Sequence, residues 1–229
     1  MAPIKAGTYR PLYLSPNSPK VQVAAFQLDR LPVTNAAFAA FVAKQTQWQK
    51  GRARSVFVEA QYLQHWPKSH QAKPADAHKP VVNVSWFAAD AYCRAQGKHL
   101  PTVAQWEYVA MASAQRANGS QEAGYKQTIL AWYGKPAQQS LAKVGQGTAN
   151  FWGVHDLHGL IWEWTDDFNS SLVSGESRAD SSFNQQMFCG AGAVGAVDPG
   201  DYAAFMRHGF RSSLQAKFTL NSLGFRCAK

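Results

Sequence analysis

Long apolar runs, closely spaced cysteines and acidic side chains are what this sequence has little of. No stretch approaches the ~18 apolar residues that a membrane span needs, so none is expected. The three cysteines, Cys93, Cys189 and Cys227, stand too far apart for a CxxC zinc or redox motif. They allow one disulfide and one leftover thiol. Charged residues are only 16% of the chain, and 14 Asp and Glu face 23 Lys and Arg, leaving a net charge of +9. Such an excess could serve an anionic partner. Nucleic-acid binders, however, gather their cations on one face or helix. Here they are scattered, with only short groups such as Lys50 to Arg54, so a solvated surface and no nucleic-acid partner are expected. Internal repeats and low-complexity tracts are missing too.

Aromatic residues are plentiful. Eight tryptophans and thirteen phenylalanines in 229 residues supply a core of large rings, enough for one generous domain or two small ones. Core signals run throughout, and the expectation is a single domain over 1–229. Met1 ahead of Ala2-Pro-Ile-Lys reads as a start added to a trimmed chain, which leaves room for a removed secretory signal.

Local grammar is clearest in the first half. Thr34 is a plausible N-cap, with Phe38, Phe41 and Val42 on one helical face behind it. From about 49 to 80 the chain turns polar and irregular, as a long surface loop would. Val81–Val84 reads as a short strand leading to Ser85, the N-cap of a helix with Trp86, Ala89, Tyr92 and Cys93 on one face. Gly97 closes it in the left-handed conformation. Thr102 and Gln105 form a capping box for a second helix that buries Trp106 and Val109. Beyond 115 helical periodicity fades, and glycine-broken pieces with isolated aromatics suggest short strands and ordered loops.

One stretch concentrates chemistry: Gly153 to Asp167, GVHDLHGLIWEWTDD. His155 and His158 stand three apart outside any predicted helix, a weak metal signal, and are expected to be surface or turn histidines.

Four ordered motifs carry a resemblance. Pro32-Val-Thr-Asn35, the run from Pro80 through GKHLPTVAQWEY to Ala110, GVHDLHGLIWEW, and Leu223-Gly-Phe-Arg-Cys227 together resemble the formylglycine-generating enzyme family, also called the sulfatase-modifying-factor domain. The motifs run from about residue 26 to the end. The resemblance implies an α+β, C-type-lectin-like fold with two main helices, short twisted antiparallel sheets and much ordered coil. It implies a Cys93–Cys227 disulfide, whose long loop the chain-entropy relation values at roughly 4–5 kcal/mol. That bond in turn implies an oxidising compartment, periplasmic or secreted.

The resemblance also implies metals. A calcium site would take the side chains of Asp156 and Glu163 and the carbonyls of Gly159 and Ile161, the mixed oxygen set that calcium prefers. The alternative is that Asp156 and Glu163 cap turns and pair with arginines. The enzymes of this family oxidise a substrate cysteine with oxygen and a copper(I) held by two cysteines, soft thiolates that suit the reduced ion. Along Tyr202 to Arg211, Tyr202, Arg207 and Arg211 align with the family pattern, but Ala203 and His208 occupy the two cysteine positions. Formylglycine generation is therefore not expected, and no catalytic residue is assigned. Met187, Cys189, Met206 and His208 offer softer donors for a replacement copper site, against the plainer reading of Met187, Met206 and Cys189 as packing. Trp162, Tyr202, Arg207 and Arg211 are the expected lining of a binding cleft.

The tail CGAGAVGAVDPGDYAAFMRHGFRSSLQA…LGFRCA resembles a subgroup found beside copper nitrite reductases and copper-delivery proteins. The expectation is an accessory protein that binds a protein partner, and copper with it, during maturation of a copper enzyme. Rival readings are a divergent copper-dependent oxidase and a non-catalytic binding or immunity module.

Overall fold

The computed structural model describes residues 1–10, 19–120, 122–133, 140–169 and 199–229. The architecture is α+β. Near the N-terminus β1 (Ala2–Ile4) pairs antiparallel with β4 (Phe26–Leu28), with Ala2 opposite Leu28 and Ile4 opposite Phe26. The second pair, β2 (Gly7–Tyr9) and β3 (Val21–Val23), is also antiparallel. In β1 and β4 the outer residues point inward and the middle residue outward, the two-residue alternation of a half-buried strand.

Helix α1 (Asn35–Lys44) starts where expected. The Thr34 hydroxyl accepts from the Ala37 amide, and Phe38, Phe41 and Val42 are buried. Phe38 is the hub of an aromatic cluster that includes Phe41, Trp66, Tyr92 and Phe225, with ring centroids 5.4–6.2 Å from its own. Helix α2 (Trp86–Arg94) is capped by the Ser85 hydroxyl, and Gly97 lies at φ +65°. Helix α3 (Val103–Ala110) carries both halves of the Thr102–Gln105 capping box.

Three expectations are corrected. The 49–80 loop is not merely superficial, because Val58, Tyr62, Leu63, Trp66 and Ala72 are core residues. Asn35 pins this loop: its amide nitrogen donates to the carbonyls of Asp76, Lys79 and Pro80, and its oxygen accepts the Trp66 indole N–H at 2.8 Å. Residues 81–84 form no regular strand. Their amides pair singly instead, Val81 with the Val33 carbonyl and Asn83 with that of Leu220. Helices also continue past residue 115, as α4 (Tyr125–Tyr133) and α5 (Pro199–Ser212), so the described residues hold five α-helices, two more than the local signals predict. The buried face of α5 is built from Ala203, Ala204, Arg207 and Arg211. Alanine and arginine give no apolar stripe, so the period stays hidden.

The last strands are β5 (Trp162–Glu163) and β6 (Leu223–Gly224), and they run parallel, where only antiparallel pairing was expected. Residues 223–228 are all buried. On one side of this tail the Trp162 and Trp164 amides bond to the Ser222 and Gly224 carbonyls, and on the other Val33 and Asp29 bond to Phe225 and Cys227. At Gly224 a Cβ would collide with the Val81 carbonyl oxygen, so only glycine lets the two backbones approach. Leu223, Phe225 and Cys227 belong to the core around Phe38, while Ala228 belongs to the second core beneath β1 and β4. The tail thus stitches the two cores together. The expected Cys93–Cys227 disulfide is present and ties α2 to that tail.

Candidate functional site

Trp106 and Glu107, adjacent on α3, organise the most charged part of the interior. From α5 two arginines one helical turn apart reach the same carboxylate. Glu107 Oε1 accepts from Arg207 Nε at 2.9 Å and Arg211 Nη1 at 2.6 Å, and Oε2 accepts from Arg207 Nη2 at 2.7 Å. All three residues are buried. Burial pushes the Glu107 carboxyl up, but the attraction of Arg207 and Arg211 outweighs it and holds the pKa at about 2. Both guanidinium groups also lie over the Trp106 ring, Arg211 at 4.8 Å and Arg207 at 5.7 Å, where the negative ring face favours a cation.

The opposite edge of Trp106 leads to a second ion pair. Its indole N–H donates to Glu163 Oε2 at 2.8 Å. Arg226 donates to the same carboxylate through Nε at 2.8 Å and Nη2 at 2.7 Å, with both side chains fully buried. The rest of the guanidinium satisfies the main-chain carbonyls of Asp29, Arg30 and His155. His158 completes the group, edge-on to Trp106 with centroids 5.8 Å apart. Its Nε2 faces the Ala110 carbonyl at 2.9 Å, so the proton belongs on Nε2, and Nδ1 is buried with no hydrogen-bond partner. Burial first, and then Arg207, push its pKa down to about 4.

These contacts place the expected site residues. Both histidines are half-buried: His158 lies in a turn, as expected, with its Nδ1 sealed from solvent, and His155 bonds through Nδ1 to the Gly147 carbonyl. Both Glu163 oxygens accept from Arg226, and Oε2 also from the Trp106 indole, which is the arginine pairing of the alternative reading. Asp156, at φ +61°, accepts the Gly145 amide through Oδ2 and so closes a loop. Gly159 follows at φ +112°, and Ile161 packs its side chain in the core. No cluster of three or more His, Cys, Asp or Glu forms among the described residues.

Of the copper donors, Met187 and Cys189 lie outside the described residues. Met206 and His208 sit two positions apart on α5, roughly 200° around the axis, and cannot converge on one ion. Met206 is exposed, whereas His208 is half-buried. The proposed cleft changes as well: Arg207 and Arg211 point inward to Glu107 instead of lining an open surface. Trp162 stacks on Phe210 at 4.1 Å and meets Trp132 at 5.5 Å. The side chain of Tyr202 lies outside the described residues. Sequence reading missed Glu107 and Arg226. A carboxylate inside the Trp106–Val109 stripe was a usable signal, since buried acids need a cationic partner.

Residues 4–229 match the sulfatase-modifying factor enzyme 1-like domain. The chain belongs to that family. Among its relatives is a formylglycine-generating enzyme of Streptomyces coelicolor, 29% identical over 91% of this chain and 79% of that protein. A mouse formylglycine-generating enzyme is 30% identical over 66% of this chain but only 44% of its own length. A mouse protein named inactive C-alpha-formylglycine-generating enzyme 2 is 30% identical over 64% of this chain and 59% of that protein. The relatives thus include proteins named as formylglycine-generating enzymes and one named as inactive. In this sulfatase-modifying-factor domain Ala203 is buried and His208 half-buried on α5.

Acid should weaken this core in two stages. Unfolded, His158 takes its proton near pH 6.5, and folded only near pH 4, so the unfolded chain binds more protons in between. Stability present above 6.5 therefore declines toward pH 4, by on the order of 3 kcal/mol for this one group. Glu107 adds a second loss in the same direction, as pH falls from its ordinary 4.5 through about 2. Urea unfolding from about pH 8 to pH 2 measures both stages, and His158→Asn should remove only the upper one.

Proposed function

We propose that this chain is an accessory, partner-binding member of the formylglycine-generating family and does not itself generate formylglycine. One observation carries the reading: Ala203, buried on α5, has no donor atom, and His208 alone cannot rebuild a two-thiolate copper site. The family copper therefore does not fit these residues, and no chemical step is routed through it. The relative named inactive supports the idea that the scaffold serves without the parent chemistry. The tail's resemblance to the copper nitrite reductase subgroup supports a copper enzyme as the partner. The Cys93–Cys227 bond supports a periplasmic or secreted location.

The test incubates purified protein with copper(I), oxygen, a thiol reductant and a peptide bearing a sulfatase-type cysteine. No aldehyde above background should form, as read by hydrazide labelling, while an active family enzyme run in parallel gives product. Catalytic turnover by the wild-type chain would end the proposal. Copper(I) affinity, measured anaerobically for wild type and Cys189→Ser, tests the copper part. Equal absence of binding in both would leave partner binding without metal.

A further inference from the structure

Ion pairing in this protein is one-sided. Six described carboxylates sit in salt bridges: Asp29, Asp76, Asp90, Glu107, Glu122 and Glu163. The cations in excess are not spread evenly. Between residues 44 and 73 the sequence holds Lys44, Lys50, Arg52, Arg54, Lys68 and Lys73 against one acid, Glu59. Glu59 is half-buried and accepts the Thr219 amide. Lys44, Arg52, Arg54, Lys68 and Lys73 are exposed, and none of the ion pairs found includes them.

The fold draws these positions together. The Lys50 amide bonds to the Ser69 carbonyl, and its ammonium to the carbonyls of Gln64 and Trp66, which holds Lys50 against the 64–69 segment that carries Lys68. Lys50 and Lys73 both lie within electrostatic reach of His65. The loop is rigidly seated through Trp66 on Asn35, Tyr62 on the Trp48 carbonyl and the Leu63 amide on the Asn83 carbonyl. The charges are therefore presented on a preformed surface, at little ordering cost on binding.

We propose that this 44–73 face docks an acidic protein surface. Glu59 and Asp76 are the acids of this region, Glu59 bonded to the Thr219 amide and Asp76 paired with Lys79 while also facing His65, and the cations left over steer an anionic partner and speed its association. Two features favour protein over nucleic acid. The large aromatic rings here turn inward, with Trp66 buried and Trp48 and Phe57 half-buried, which leaves only the small rings of His65 and His70 exposed as a stacking platform for bases. An apolar side chain, Val56 at 58% exposed, stands in the middle of the charges, as in a protein interface. The inference goes beyond the loss of the copper thiolates and does not depend on it.

The test measures binding of fluorescent poly-L-glutamate by anisotropy, at low and at near-physiological salt. Arg52→Glu/Arg54→Glu/Lys68→Glu is compared with Lys5→Glu/Lys20→Glu/Lys217→Glu, which reverses as many exposed charges elsewhere. The loop variant should lose about tenfold or more in affinity and the control about twofold or less, with both keeping the wild-type melting curve. Equal losses would mean that only net charge matters and would overturn the proposal. Tighter binding of duplex DNA than of poly-L-glutamate by the wild type would overturn it in favour of nucleic acid.

Discussion

Replacing both bridged cysteines, as Cys93→Ala/Cys227→Ala, should lower the unfolding free energy by about 4–5 kcal/mol. The bond joins residues 134 apart in sequence. Most of its effect lies in the unfolded chain, which loses conformational freedom when so long a loop is closed. The folded state adds its own reason. Cys93 and Cys227 are both fully buried, and the tail that Cys227 anchors touches both hydrophobic cores. Losing the bond therefore loosens the element that joins them. Because domains are commonly stable by only ~5–15 kcal/mol, the variant should melt far lower and express poorly. Equilibrium urea unfolding of oxidised wild type against the double variant measures the difference. A change under about 1 kcal/mol would show that packing of the tail alone suffices.

The parts of this fold that sequence reading could reach are those whose determinants are local. A cap is decided by residues three apart, as with Thr34, Ser85 and the Thr102–Gln105 box, and each was legible. The buried stripes of α1 to α3 were legible for the same reason. Helix α5 was not, because its inward face is alanine and arginine, a pattern that reads as exposed until Glu107 is placed opposite, 100 residues earlier in the chain. The two-residue strands β5 and β6 are too short to show a period. The inward turn of Trp66 depended on Asn35, which itself looks like an ordinary helix-opening residue.

The candidate site followed the same division. The motif around Trp162 and Glu163 was correctly picked out as chemically loaded, but its chemistry depends on partners far away in sequence. Arg226 lies 63 residues from Glu163 and makes it half of a buried ion pair. His158 looked like a turn residue because it is one. Its turn happens to fold back under α3, and no local pattern announces that. Ala203 was the reverse case, since an alanine there is a fact of sequence and the structure adds only that it is buried on α5.

Breaking the Glu163–Arg226 pair from one side should be as damaging as losing the disulfide. Removing one partner of a fully buried pair leaves a charge with no water to solvate it, and such changes cost about 3–5 kcal/mol. The two sides are not equivalent. Glu163→Gln retains an oxygen for the Trp106 indole and removes the negative charge, leaving Arg226 still bonded to three carbonyls. Arg226→Met strands the carboxylate and also unpairs the carbonyls of Asp29, Arg30 and His155. Arg226→Met should therefore cost more than Glu163→Gln, with a gap of about 1–3 kcal/mol from the orphaned carbonyls. The double variant should cost less than the sum of the two singles, because the stranded carboxylate is no longer there. Urea unfolding of all four proteins closes this cycle. Equal single costs would mean that the carbonyls find other donors, and additivity would mean that the pair does not couple. The expected non-additive, lopsided cycle would identify Arg226 as the cation around which Asp29, Arg30, His155 and Glu163 are arranged.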